Sequence, residues 1–188
     1  MNGIESVAQM SPLPSPQRGF TDEEFAHRTS RAQNLMQQQG VDLLLLMTEP
    51  EVRYFSGFLT QFWQSPTRPW FLLLPQTGKP VAVIPSIGIE CMSRTWLEDI
   101  RTWSSPHQND DGVGLLVDTI TTLVGSDPTV GLPMGKESSL RMPLTDYARL
   151  QNKLPRAQWC NATDLIQSLR QIKSETEIDK IRYTAQTV

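Results

Sequence analysis

Cysteine and histidine are scarce in this 188-residue chain, and their scarcity removes several chemistries at once. Cys91 and Cys160 form no metal-ligand or redox spacing. They read as reduced thiols of a cytosolic protein, with one disulfide between them left open. Cys91 has no histidine or basic cluster beside it to lower its pKa, which argues against a nucleophile. His27 and His107 stand far apart without close carboxylates, so no metal ligand set and no catalytic residue is expected here. Asp110-Asp111 beside Gly112 reads as a solvated loop, and Gly112-Val113-Gly114 lacks the rest of a phosphate-binding fingerprint. No apolar run approaches the ~18 residues of a membrane span. Residues 1–20 lack the basic and apolar blocks of a signal peptide, which leaves the cytoplasm as the expected location. A net charge of −3 gives no reason to expect nucleic acid or an anionic membrane as partner.

What is present fits one medium domain, long enough to bury roughly 70% of its unfolded surface without disulfides or metal. Residues 1–19, with Pro12, Pro14 and Pro16 and no apolar period, read as a disordered or extended leader. Order is expected from Phe20. Thr21 and Glu24 make a capping box, Phe20 and Phe25 a hydrophobic staple, and Gly40 a left-handed terminator. Residues 41–47 form a short apolar run suited to a strand covered on both faces. Pro50 opens a brief helix that Gly57 ends. Residues 70–74 and 81–84 read as a hairpin with a longer loop. A helix over 87–97, a strand over 100–103 and a helix over 115–124 follow. Strands over 130–132 and 158–161 flank a helix over 144–154, and 163–170 makes one more helix. Ser174 and Glu177 form a second capping box, opening a helix to Val188 with Ile178, Ile181, Ala185 and Val188 on one face. Strands and helices alternate throughout. The fold class is therefore α/β, three-layer, a mixed sheet with helices on both faces.

The segment Glu51-Val52-Arg53-Tyr54-Phe55-Ser56-Gly57-Phe58 resembles a motif, N-x-x-Y-x-[ST]-G-[FYW], of creatinase, prolidase and aminopeptidase P-like proteins. Glu51 departs from it, since the family often has asparagine there. Trp70-Phe71-Leu72-Leu73-Leu74-Pro75 and Pro80-Val81-Ala82-Val83-Ile84-Pro85 are similar to the central hairpin of the same family's N-terminal domain. Arg170-Gln171-Ile172-Lys173-Ser174, with Glu177-Ile178 and Ile181-Arg182, resembles the junction that opens its catalytic domain. The resemblance implies a ribonuclease H-like N-terminal domain over 20–172, with a mostly six-stranded mixed sheet, and a linker helix over 173–188. It further implies a pita-bread catalytic domain outside this sequence. In the peptidases that domain holds two divalent metal ions (Mn, Co or Zn) through two Asp, one His and two Glu. The implied partners are the chain's own catalytic domain, a second copy in a homodimer, and a proline-containing peptide or small guanidino substrate.

One loop, residues 57–70, joins a helix end to a buried-looking strand yet is rich in aromatics and carries an arginine. Such side chains anchor interfaces and ligand pockets. The resemblance places this loop at the dimer contact, reaching the neighbouring subunit's active site. It makes Phe62, Trp63 and Arg68 the substrate-binding candidates, with Arg68 suited to a substrate carboxylate. The competing reading packs the aromatics under the sheet and leaves Arg68 solvated. Trp96 and Trp103 are read as core or core edge, and Arg53 as a surface helix charge. The function expected is a non-catalytic domain of an Xaa-Pro metallohydrolase. The alternatives are the same domain of a metal-free creatinase-type amidinohydrolase, or a catalytically inert protein-interaction domain.

Overall fold

The computed structural model describes residues 14–65, 68–136 and 138–187. Most of the expected leader (residues 1–13) and Val188 lie outside the described residues. Helix α1, Asp22–Gln39, begins where the sequence placed it. Thr21 Oγ1 accepts from the Glu24 N–H at 3.3 Å, the Phe20 and Phe25 rings meet edge-on at 6.1 Å, and Gly40 closes the helix at φ 66°. Only half of the first capping box forms. Glu24 turns its carboxylate to Arg28 Nε, 3.1 Å away, because a buried guanidinium is a stronger donor than an exposed cap amide.

Strand β1, Leu43–Leu46, and helix α2, Glu49–Ser56, follow. Strands β2, Phe71–Pro75, and β3, Val81–Pro85, make the expected antiparallel hairpin, with Leu72 opposite Ala82. The expected helix over 87–97 is much shorter. A 3-10 turn, Ser86–Gly88, leads into α3, Ile89–Met92, which stops as the Ser93 and Thr95 hydroxyls bond back to the Glu90 and Met92 carbonyls. After β4, Ile100–Trp103, helix α4, Val113–Val124, starts earlier than its apolar period suggests, since the Asp110 carboxylate accepts from the Gly114 N–H at 3.0 Å. Strand β5, Thr129–Leu132, helix α5, Leu144–Lys153, strand β6, Gln158–Asn161, and helices α6, Thr163–Gln171, and α7, Glu175–Thr187, complete the order.

The six strands form one sheet, ordered β4-β3-β2-β1-β5-β6. Only β2 runs against its neighbours, and the β1–β5, β3–β4 and β5–β6 pairs are parallel. The sheet is thus mixed and six-stranded, as expected. Because side chains alternate along a strand, the continuous run of β1 feeds two cores. Leu44 and Leu46, with Leu72, Leu74, Ala82 and Ile84, pack under α1, α2, α3 and α6. Leu43 and Leu45, with Phe71, Leu73, Val81, Val83 and Val130, pack under α4 and α5. Trp96 closes the edge of the first core, donating its indole N–H to Phe55 O at 2.7 Å.

Helix α7 belongs to neither core among the described residues. Its second capping box does form, with Ser174 N–H donating to Glu177 Oε2 at 2.9 Å. Arg28, almost fully buried, holds the start of this helix: Nη2 lies 3.2 Å from Glu177 Oε1, in ion contact without hydrogen-bond alignment. The same guanidinium donates to Tyr54 O at 2.9 Å and lies between the Phe20 and Tyr54 rings, 4.0 and 4.5 Å from their centroids. One arginine therefore joins the N-terminal segment, α1, α2 and α7.

Candidate functional site

The loop after α2 begins at a position that requires glycine. Gly57 has φ 74°, and a Cβ there would lie 2.8 Å from the Phe25 ring. The Ser56 hydroxyl then accepts from the Phe58 N–H at 3.1 Å, turning Phe58 inward, where it is buried. Thr60 Oγ1 accepts from the Phe62 N–H at 3.3 Å and starts a 3-10 turn, Gln61–Gln64.

This turn divides the candidates. Trp63 is 9% exposed and packs against Phe58 and Trp70, with ring centroids 6.0 and 5.9 Å away. Phe62 stacks on the fully buried Trp70 at 6.1 Å and remains 37% exposed. Arg68 is half-buried; its carbonyl accepts a bond, while its guanidinium has no partner among the described residues. Trp63 is thus a side chain of the core cluster. Of the three candidates, Phe62 and Arg68 are the side chains left to meet something else. Pro66 and Thr67 lie outside the described residues.

A residue that the sequence reading missed holds this loop. Arg141, from the connection between β5 and α5, donates Nη1 to Arg68 O at 2.5 Å and Nη2 to Phe62 O at 3.1 Å. Nη2 also bonds the Ser65 carbonyl and approaches Trp63 O at 3.4 Å, and the guanidinium sits 4.9 Å from the Trp63 ring centroid. It adds donors to carbonyls at the end of a helical turn, where a cation also suits the dipole. Burial pulls the Arg141 pKa below the ordinary arginine value, and Glu49 nearby pulls it back up. The partners lie 73 to 79 residues earlier in the chain, so no local pattern could have revealed them.

The topology explains why these loops meet. The connection after β1 leads to α2 on one face of the sheet, and that after β5 leads to α5 on the other. Between parallel neighbours whose connections part in this way lies the crevice where open α/β sheets place ligands. Arg141 crosses that end of the sheet to reach the aromatic loop.

The arrangement offers a guanidinium and a partly exposed aromatic face to a ligand. No group of three His, Cys, Asp or Glu among the described residues could hold a metal ion, so they do not fit a two-metal centre. Cys91 and Cys160 are both free, and burial pushes the Cys160 thiol's pKa up, away from a nucleophile. No helix among the described residues is long and apolar enough to cross a membrane.

A family model described as the Creatinase/Prolidase N-terminal domain matches residues 28–172. Among curated proteins, an uncharacterized hydrolase/peptidase y4tM of Sinorhizobium fredii is 27% identical over 169 residues, covering 87% of this chain and 42% of that protein. The dipeptidase PepE structure from Mycobacterium ulcerans matches with TM-score 0.66 and 22% identity over 86% of this chain and 40% of that one. A prolidase structure from Thermococcus sibiricus matches with TM-score 0.69 and 17% identity over 86% and 40%. The chain spans about two fifths of the length of the curated relatives it matches.

Proposed function

Because the chain belongs to the Creatinase/Prolidase N-terminal domain family, we propose that it is the non-catalytic domain of a metallohydrolase acting on Xaa-Pro peptides. Its loop 57–70 lines the substrate site of a second subunit. The observation that carries this reading is the contrast within that loop. Its backbone is clamped by Arg141, while Phe62, stacked on Trp70 by one face, stays 37% exposed and the Arg68 guanidinium has no partner among the described residues. A rigid loop that keeps an aromatic face and a guanidinium free is pre-organised for a ligand, because little ordering entropy remains to be lost on binding. Arg68 would pair the carboxylate of a proline-containing peptide, and Phe62 would cover the pyrrolidine ring.

Two further features support the assembly. Leu59, Phe62, Ile87 and Ile89 are exposed apolar side chains, and the last two flank Gly88, which backs Trp70. They suit burial against a second copy in a homodimer. Ile172 and Ile181, at the root and on the face of α7, are 71% and 55% exposed and would be covered by the catalytic domain. The two divalent ions would be held there, by residues outside this chain.

The isolated domain should hydrolyse no Xaa-Pro dipeptide and no guanidino compound, with or without added manganese, cobalt or zinc. Metal-dependent turnover by the pure domain would contradict the assignment.

A further inference from the structure

A second feature lies away from loop 57–70, at the root of α7. A cleft of ≈ 590 Å3 opens between α2, α6 and α7, within the size range of ligand sites. Its lining includes Arg28, Arg53, Arg170 and Lys173, against the single carboxylate of Glu177. That is a local surplus of cations in a chain of net charge −3.

The charges differ in what they already do. Arg28 is committed to Glu24, Glu177 and Tyr54 O. Lys173 Nζ bonds the last carbonyls of α6, those of Arg170 and Gln171. Arg53 and Arg170 make no ion pair or side-chain hydrogen bond among the described residues. The buried Glu51 carboxyl is within electrostatic reach of Arg170 but forms no ion pair with it. Beside Arg170, Gln167 and Gln171 stand on the same face of α6 at spacings of three, one and four, and both line the cleft. The opposite face of α6 carries Leu165, Ile166 and Leu169 into the core. The cleft is therefore walled by fixed backbone, and its uncommitted groups are guanidinium and amide donors.

We infer that this cleft binds a compact oxyanion, a phosphate or a carboxylate group, between Arg53 of α2 and Arg170 of α6. Two guanidinium forks from different elements can each take such a group through paired N–H donors, and the amides of Gln167 and Gln171 supply further donors. Glu177 in the same lining sets the limit, since a second anion must sit nearer the two free arginines than Arg28. The sequence marked Arg53 as a plain surface charge because its partner across the cleft, Arg170, is 117 residues later (170 − 53). Bound there, an anion would join α2 to the helix preceding α7.

The test is a titration of the isotopically labelled chain with inorganic phosphate, and separately with succinate, followed by backbone amide resonances. Sodium chloride at matched ionic strength is the control. The expected result is saturable shifts confined to residues 51–54 and 167–173. Binding should weaken about tenfold or more in the double variant Arg53→Gln, Arg170→Gln, because charged hydrogen bonds are lost. Both substitutions are at exposed side chains, and unchanged resonances elsewhere confirm the fold; the single variants serve if the pair does not fold. Tighter phosphate points to a phosphorylated ligand, and tighter succinate to a carboxylate-bearing one. Shifts that chloride reproduces, or binding that the variants leave untouched, would reduce the arginines to solvated charges and overturn the site.

Discussion

Arg141 and Arg68 illustrate how two arginines in one site do different work. Arg141 spends its donors on four backbone carbonyls of the loop, whereas Arg68 contributes only its own carbonyl. Arg141→Gln should destabilise the domain by about 1–2 kcal/mol, because part-buried carbonyls lose charged donors. A red shift of tryptophan emission should accompany it as Trp63 loosens; urea unfolding and fluorescence check both. Glu51 gives a second residue-scale prediction. Burial pushes its carboxyl pKa above the ordinary value, outweighing the hydrogen bonds from Thr48 that pull it down. The folded chain then holds a proton that the unfolded chain releases, so this group's contribution to stability falls as pH rises above about 4.5. Glu51→Gln should remove that slope: relative to the native chain, the variant should gain stability between about pH 4 and pH 7. Equal unfolding midpoint differences at both pH values would contradict the assigned burial cost. At this scale the sequence was legible in part. The aromatic and arginine content drew attention to loop 57–70 and the family resemblance singled out Phe62, Trp63 and Arg68, but only packing could show that Trp63 faces inward. Arg141 carried no local signal at all.

Elements were more legible than residues, because their signals are short-range. The Thr21 cap, the Phe20–Phe25 staple, the Gly40 and Gly57 terminators and the Ser174–Glu177 box all lie within a few residues of what they stop or start. The expected helix over 87–97 failed for the same reason in reverse, since the hydroxyls of Ser93 and Thr95 compete for the helix carbonyls. Gly88, in the 3-10 turn before α3, shows what periodicity cannot see. A Cβ there would lie 2.2 Å from the buried Trp70 ring. Gly88→Ala should therefore cost about 1–3 kcal/mol by overpacking, measurable as a lower thermal midpoint. Helix α7 is held along its length by Lys180, which bonds the Gln17 carbonyl and lies 5.0 Å from the Phe20 ring centroid, and at its start by the ion contact of Arg28 with Glu177. Glu177→Gln weakens that contact and the helix cap together, while leaving both cores intact. Amide exchange should accelerate across α7 and remain slow in β1 and β2. Uniform acceleration throughout the domain would show that α7 is part of the cooperative unit after all.

For the whole molecule, alternating strands and helices were enough to fix the class, and the hairpin gave one antiparallel pair. The strand order β4-β3-β2-β1-β5-β6 was not available from any local pattern, because β1 and β5 are joined only by long-range pairing such as Leu43 with Val130. That pairing brings the β5–α5 connection, and with it Arg141, to the aromatic loop. The central claim is that the loop is built to serve a substrate rather than the fold. It is tested most directly by Arg68→Ala in a protein that joins this domain to its catalytic half. Loss of a charged hydrogen bond to the substrate carboxylate, on the order of 1.5–3 kcal/mol, should lower kcat/KM for an Xaa-Pro dipeptide by about one to two powers of ten. The thermal midpoint should remain where it was, since the Arg68 side chain has no partner to lose among the described residues. Unchanged kcat/KM, or a domain that unfolds, would contradict the account.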